Sequence, residues 1–246
     1  MIDIHAHILP GVDDGAVDLA EAITMGRQAY LDGTRYICCT SHLNADENAI
    51  ETLCERDKLR ESLQRVFYSQ GINVTLLGGA EWMVSPELID ILCQSPLATL
   101  GKSRAFLFEM SRYSPCAFLH EFVKIAVAEG FQPIFAHPER YPSITAYNFD
   151  SVLAPIVQAG AKLQLTASSL TGNFGRPVET IALLIAKRFS TNLLIASDTH
   201  DSVHRKPGLS EGLNVINKTH PNLDALILKQ TQSLLNVPYP SRTVTK

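Results

Sequence analysis

Seven short apolar runs alternate with helical segments along this chain, and six of the seven carry a histidine or a carboxylate at their C-terminal end. The runs cover residues 2–8, 34–42, 72–81, 104–109, 132–137, 161–168 and 192–200. Between and after them, helical patterns run over 19–31, 49–69, 87–93, 116–130, 149–160, 178–189, 209–218 and 223–235. Strict strand–helix alternation implies a parallel sheet, because each parallel pair needs a crossover long enough to hold a helix. Polar ends contributed by the first strand, the last strand and those between can share one site only if the strands form a ring. The 246 residues show no shift in composition that would mark a second domain. The expected architecture is therefore a single α/β domain over 1–246, a closed barrel of seven strand–helix units with its chemistry at the C-terminal rim. Residues 237–246, which contain Pro238 and Pro240, read as a loosely ordered tail. No glycine-rich dinucleotide or phosphate fingerprint follows the first strand.

The formal net charge of −4 leaves no basic surface for a polyanion, so nucleic acid is not an expected partner. No stretch approaches the roughly 18 uninterrupted apolar residues of a membrane span. The N-terminus lacks a charged segment followed by an apolar leader, so the chain reads as cytoplasmic without direct membrane insertion. Cys38, Cys39, Cys54, Cys93 and Cys116 are odd in number and show no CxxC spacing, against both a disulfide framework and a zinc ribbon. Cys54 and Arg60 have the gap used by cysteine-dependent phosphatases. The intervening Glu-Arg-Asp-Lys-Leu holds two acids and no glycine, so this stretch reads as an ordinary helix face.

In an extended run over 2–8, Asp3, His5 and His7 share one face and Ile2, Ile4 and Ala6 the other. Two imidazoles two residues apart on a strand can grip one cation, and a divalent metal is the simplest partner for so polar a buried face. Collected, the strand ends and the loop after the first strand offer His5, His7, Asp14, His42, Glu81, Glu109, His137, Asp198 and His200. A single zinc takes three or four protein ligands, so nine such groups suit two or three cations sharing bridging oxygens. Imidazole and carboxylate without thiolate favour manganese, iron or zinc over calcium.

Asp-Ile-His-Ala-His at 3–7, Val-Asp-Asp-Gly at 12–15, Thr-Ser-His at 40–42, Gly-Ala-Glu at 79–81, Phe-Glu at 108–109, Ala-His-Pro-Glu-Arg at 136–140 and Ser-Asp-Thr-His at 197–200 resemble the motifs of the polymerase and histidinol phosphatase (PHP) family. Within it the chain is most similar to the manganese-dependent bacterial protein-tyrosine phosphatases of capsule and exopolysaccharide synthesis. The resemblance runs in order from Met1 to about Pro207. It implies a distorted seven-unit barrel and three divalent ions, with manganese foremost. A first ion would be held by His5, His7, Glu81 and Asp198, a second by Glu81, Glu109 and His137, and a third by Asp14, His42 and His200. Asp13 is an adjacent rival to Asp14, and Asp3 is expected to orient an imidazole from behind. Carboxylates at 14 and 109, where the wider family often has histidine, point to the phosphatase branch. The related amidohydrolase barrel usually has a strand-end lysine where Phe108-Glu109 stands. One departure is Leu43-Asn44, in place of basic residues after His42, which bears on substrate preference.

Arg140 and Arg205 fall on rim loops, where the resembled phosphatases use arginines to bind phosphate. His120, His204 and His220 have no such setting and read as ordinary surface histidines. The implied activity is hydrolysis of a phosphomonoester by a hydroxide bridging two metals, with a tyrosine kinase's phosphorylated tail as the partner. A histidinol-phosphate-type phosphatase would share every ligand and differ in its loops. A metal-stabilised protein that only binds a kinase tail is the third possibility.

Overall fold

The computed structural model describes residues 1–112, 114 and 116–237, so the tail expected at 237–246 lies outside it except for Val237. The elements follow in the order β1 (Ile2–Ala6), α1 (Leu19–Leu31), β2 (Tyr36–Cys39), β3 (His42–Leu43), α2 (Ala49–Ser69), β4 (Thr75–Leu77), β5 (Glu81–Met83), α3 (Leu88–Gln94), β6 (Ala105–Glu109), α4 (Leu119–Ala128), β7 (Gln132–Ala136), α5 (Phe149–Gln158), β8 (Lys162–Thr166), α6 (Ala167–Leu170), α7 (Arg176–Arg188), β9 (Leu193–Ala196), α8 (Leu209–Thr219) and α9 (Leu223–Leu235). All strand pairs are parallel. One sheet has the order β1-β2-β4 and the other β3-β5-β6-β7-β8-β9. Past β9, Thr199 makes a parallel bridge to Ala6, and its carbonyl accepts the His7 N–H at 2.9 Å. Among the described residues, no helix is long and apolar enough to cross a membrane.

Two of the seven expected strands are each split in two. The run 34–42 becomes β2 and β3, because Thr40 turns its hydroxyl onto the Ala6 N–H at 2.8 Å and interrupts the ladder. The run 72–81 becomes β4 and β5, broken at Gly78-Gly79. A Cβ at Gly79 would stand 2.8 Å from the Leu100 side chain, so glycine permits the close crossing. Glu81 therefore opens β5 instead of closing a strand, and its register partner is His42.

The expected alternation in β1 holds for His5 and His7, which meet at 3.1 Å, and for Ile2 and Ile4, but not for Ala6. A register shift between Asp3 and Ala6 inserts an extra residue opposite β2, and a bulge of this kind re-aims the side chains beyond it. Ile2 and Ile4 join an apolar cluster with Leu107, Ile134 and Leu194. Ala6 and Ile8 join a second cluster with Ile37, Met25 and Phe67, beneath α1 and α2. Elsewhere the alternation holds. Leu107 and Ile134 face that first cluster, whereas Phe106, Phe108 and Phe135 pack outward among the helices. Phe108 stacks on Phe135 at 5.3 Å and Phe135 on Tyr141 at 5.4 Å.

The loop 9–16 folds back tightly on the end of β1. Ala16 donates to the His7 carbonyl at 3.0 Å, and Gly11 donates to the Ala16 carbonyl at 2.8 Å. A Cβ on Gly15 would lie 2.1 Å from the His7 carbonyl oxygen and 2.4 Å from the His7 Cβ. Neither atom can yield without moving β1. Gly15→Ala is expected to destabilise the fold by on the order of 2 kcal/mol or more, read as a lowered melting temperature by circular dichroism. An unchanged melting temperature would show that the loop relaxes freely.

Candidate metal centre

β1 and the loop after it, β3, β5, β6 and the segments after β7 and β9 all deliver side chains to one pocket. His5, His7 and Glu81 lie at its floor with almost no exposure. Glu81 Oε2 is 3.1 Å from His5 Nε2, 3.3 Å from His7 Nε2 and 3.1 Å from His42 Nδ1. His137 Nε2 meets the other oxygen, Oε1, at 2.8 Å. Asp198 Oδ1 is 3.3 Å from His5 Nε2, 3.6 Å from His7 Nε2 and 3.6 Å from His200 Nδ1. Glu109 reaches His42 Nδ1 at 2.8 Å. Asp14 closes the outer edge, 3.5 Å from His42 Nε2 and 3.4 Å from His200 Nε2. Its side chain is 64% exposed and that of His42 39%, so the pocket is sealed below and open above.

All nine ligand positions expected from the sequence thus converge. They form four overlapping groups: His7, Asp14, His42 and His200; His5, His7 and Glu81; His5, His137 and Asp198; and His42, Glu81 and Glu109. The sets differ from the expected division in three places, for His7 joins Asp14, His42 and His200, His42 also joins Glu81 and Glu109, and His137 joins His5 and Asp198. His137 and Asp198 both occupy the left-handed region, at φ 35° and 52°. Non-glycine residues adopt that conformation only where the surroundings enforce it, and such sites cluster at functional centres.

The electrostatics follow from burial and proximity. Burial alone would lower the His5 imidazole, but the carboxylates of Glu81 and Asp198 raise it to about 10. His42 is likewise desolvated, yet Glu109 and Glu81 lift it to about 9. Burial, the neighbouring His7 and Arg205 push His200 down to about 3, leaving it neutral with a lone pair to donate. Burial opposes ionisation of Glu81, yet His5 and His137 hold it well below the usual carboxylate range. Glu81 Oε2 nevertheless has no properly oriented hydrogen-bond donor, although three imidazole nitrogens lie within 3.3 Å of it. An orphaned buried carboxylate oxygen ringed by imidazole nitrogens fits a divalent cation, because a cation would displace the imidazole protons and pair with the carboxylate and the freed nitrogen lone pairs at once.

Gln164 and Glu139 were not anticipated as supporting residues, and Asp13 and Asp3 take roles other than those expected. His5 Nδ1 is held by Gln164 Oε1 at 2.9 Å, from the one strand that shows no strong ligand in the sequence. The only signal for it is a glutamine inside the apolar run Leu163-Gln-Leu165. Asp13 holds His7 Nδ1 at 2.7 Å and accepts from the Gly15 and His42 amides. It therefore braces an imidazole from behind, and Asp14 alone of the pair faces His42 and His200. Asp3, expected to orient an imidazole, instead accepts the backbone N–H groups of His5 and Ser197. Glu139 is buried and accepts the Thr166 amide at 2.9 Å.

Arg140 and Arg205 reach the pocket, but not as unattached phosphate binders. Arg140 Nη1 pairs with Asp198 Oδ2 and its guanidinium lies 4.6 Å over the Phe174 ring. Arg205 Nη2 reaches the same oxygen at 2.7 Å. The cysteines stand apart: Cys38 and Cys39 are buried, with burial pushing Cys39 up to about 12. Cys54 is exposed on α2, and Arg60 spends itself on Asp57 and the Leu76 carbonyl. No phosphate cradle exists there.

Parallel sheets with a buried imidazole–carboxylate cluster at their strand ends define an α/β protein built around a metal-competent pocket. The chain belongs to the capsular polysaccharide synthesis family CpsB/CapC, whose model matches residues 1–236. It is 31% identical over 237 residues to the tyrosine-protein phosphatase YwqE of Bacillus subtilis, covering 96% of this chain and 91% of that one. It is 26% identical over 255 residues to the tyrosine-protein phosphatase CpsB of Streptococcus agalactiae serotype III, covering 97% and 100%. Among solved structures, it superposes with a TM-score of 0.86 on one from the crystal structures of YwqE from Bacillus subtilis and CpsB from Streptococcus pneumoniae, metal-dependent tyrosine phosphatases. That match has 30% identity and covers 96% of this chain and 94% of the other. The resemblance to the capsule-associated branch, read from the motifs, is borne out.

Glu81→Ala is expected to be the most damaging single substitution in the pocket, because this carboxylate meets four imidazoles and belongs to two of the ligand groups. Elemental analysis of the purified, metal-loaded variant should find more than one cation missing. Full occupancy would show that Glu81 bridges nothing.

Proposed function

We propose that this protein is a divalent-metal-dependent phosphatase that removes phosphate from tyrosine side chains. Its target would be the tail of a tyrosine kinase of capsule or exopolysaccharide synthesis, met in the cytoplasm. Family membership and the named activities of YwqE and CpsB support the reaction. The observation that carries it is the orphaned Oε2 of Glu81, surrounded by imidazoles beneath an open rim with two guanidiniums.

Three cations, manganese foremost, are proposed for the nine ligands. His5, His7, Glu81 and Asp198 would hold the first, Glu81, Glu109 and His137 the second, and Asp14, His42 and His200 the third. The overlap of the four donor groups supports shared ligands, and a donor set of nitrogen and oxygen without thiolate supports manganese over soft metals. A single domain whose strands close into a ring is proposed too, supported by the Ala6–Thr199 bridge.

When bound, divalent cations supply an acidified water and neutralise charge on the phosphoryl oxygens. The protein's own part is to bind and orient. Glu81 and Asp198 hold concentrated negative charge at the floor. Arg140 and Arg205 are fixed at one edge by Asp198, and Phe174 stacks on the Arg140 plane. Guanidiniums held in place cost no reorganisation when they meet the charge that builds up on phosphorus-bound oxygens. A tyrosyl oxygen, with a conjugate acid of pKa about 10, departs with less help from an acid than an alkyl alcohol needs. The exposed Asp14 and His42 leave the outer side accessible to a protein segment.

Activity on a phosphotyrosine peptide, compared with histidinol phosphate, should vanish on chelation and return with added manganese. Preference for histidinol phosphate would overturn the protein-phosphatase reading. Cys54→Ser should keep turnover near wild type, and loss of turnover in a folded Cys54→Ser protein would sink the metal mechanism. Arg140→Ala should lower turnover on the order of 10²-fold, with Arg140→Lys recovering only part, because an ammonium keeps the charge but not the fork. Because Arg140 also touches Asp198, metal content is measured alongside. Loss of metal instead of turnover per loaded protein would assign Arg140 to ligand support.

A further inference from the structure

Helix α2 carries Arg56, Arg60 and Gln64 at four-residue spacing, hence on one face. Each engages the backbone of the broken strands. Arg56 donates from Nη1 to the Ser41 carbonyl at 2.9 Å and from Nη2 to the His42 carbonyl at 2.8 Å. Arg60 donates to the Leu76 carbonyl at 3.1 Å. Gln64 donates to the Val74 carbonyl at 2.9 Å and accepts the Leu76 N–H at 2.6 Å.

For Arg56 the consequence reaches the pocket. The His42 N–H goes to Asp13 Oδ2 at 2.9 Å, the same oxygen that holds His7 Nδ1. The His42 carbonyl goes to Arg56. Charged side chains therefore hold the peptide groups on both sides of His42, at the point where β2 gives way to β3. Hydrogen bonds to charged groups are the stronger kind, and a planar fork fixes two successive carbonyls together. A side chain follows the orientation of its own peptide planes, so clamping these two planes sets the direction from which the imidazole enters the pocket.

We infer that Arg56 is a positioning residue for His42. It holds the His42 imidazole in the group formed with His7, Asp14 and His200. The inference rests on the reading of His42 as a cation ligand. It also divides the labour along α2, since Arg60, one turn later, clamps a carbonyl of β4 that belongs to no ligand residue.

The test titrates manganese into the chelated protein by calorimetry and records the melting temperature of each metal-free form. Wild type, Arg56→Ala, Arg56→Lys, Arg60→Ala and His42→Ala are compared. Arg56→Ala should weaken one class of manganese sites by about tenfold or more, the usual effect of removing a residue that orients a ligand. The remaining sites should be unchanged. Arg56→Lys should recover part of the loss, and His42→Ala should lose the same class of sites. Arg60→Ala should lower the melting temperature without moving any manganese affinity. Wild-type affinities in Arg56→Ala, beside a loss in His42→Ala, would overturn the positioning role, as would an equal loss in Arg60→Ala. Unchanged affinities in His42→Ala would overturn the ligand reading on which the inference stands. Should Arg56→Ala fail to fold, wild-type affinity at every site in Arg56→Lys, with only its melting temperature reduced, would overturn the inference as well.

Discussion

Glu81 and Asp198 bury two carboxylates at the floor of one pocket, with 1% and 2% of their surface left exposed to solvent. Taking such charges out of water is unfavourable unless opposite charge and hydrogen bonds replace the lost solvation. The surroundings answer in two ways. Imidazoles from β1 and the residue after it, from β3 and from the segments after β7 and β9 crowd the inner side, and two guanidiniums occupy one oxygen of Asp198. The compensation stays incomplete at Glu81 Oε2, which has imidazole nitrogens near it and no oriented donor. That residual demand is what makes the pocket a place for cations instead of a closed ion-pair network.

Meeting that demand requires backbone irregularity. Regular parallel strands would point alternate residues away from the pocket, yet ligands are wanted at closely spaced positions. The bulge in β1, the breaks after β2 and β4, and the left-handed His137 and Asp198 each redirect one or two side chains. Every break carries its own satisfaction of the freed polar groups. Thr40 takes the Ala6 amide, Asp13 takes the His42 amide, and α2 sends Arg56, Arg60 and Gln64 to neighbouring backbone groups. The apolar clusters on either side of the sheets are what hold these departures in place.

Exposure is graded across the same pocket. The floor is sealed, whereas Asp14 and His42 stand at the solvent edge and Arg140 and Arg205 are each about a quarter exposed. Strong electrostatics below and access above suit a substrate whose charged group must enter while the chain bearing it remains outside. Leu43, at the position where basic residues were expected, packs against the main apolar cluster instead of facing a substrate.

The order of strands and helices and the nine converging side chains were legible in the sequence, because strand-end chemistry and helical periodicity are local patterns. Asp14 and Asp13 were both visible, but only the fold of the loop over His7 separates them, sending Asp13 behind one imidazole and Asp14 in front of two. Gln164 could not be told from any other strand glutamine, since its role exists only where β8 passes behind His5. Arg140 and Arg205 were placed at the rim by sequence, yet their shared partner Asp198 lies 58 and 7 residues away along the chain. The same limit hid the bulge in β1 and the splitting of two strands. The bulge and the first split arise from contacts with Cys39 and Thr40 that no local pattern encodes, whereas the second split falls at Gly78-Gly79, a local break signal whose cause, the close approach of Leu100, is tertiary. Residue types and their spacing determined which chemistry the chain could assemble; the tertiary structure decided which groups face the pocket and which brace it from behind, because that choice depends on distances between residues far apart in sequence.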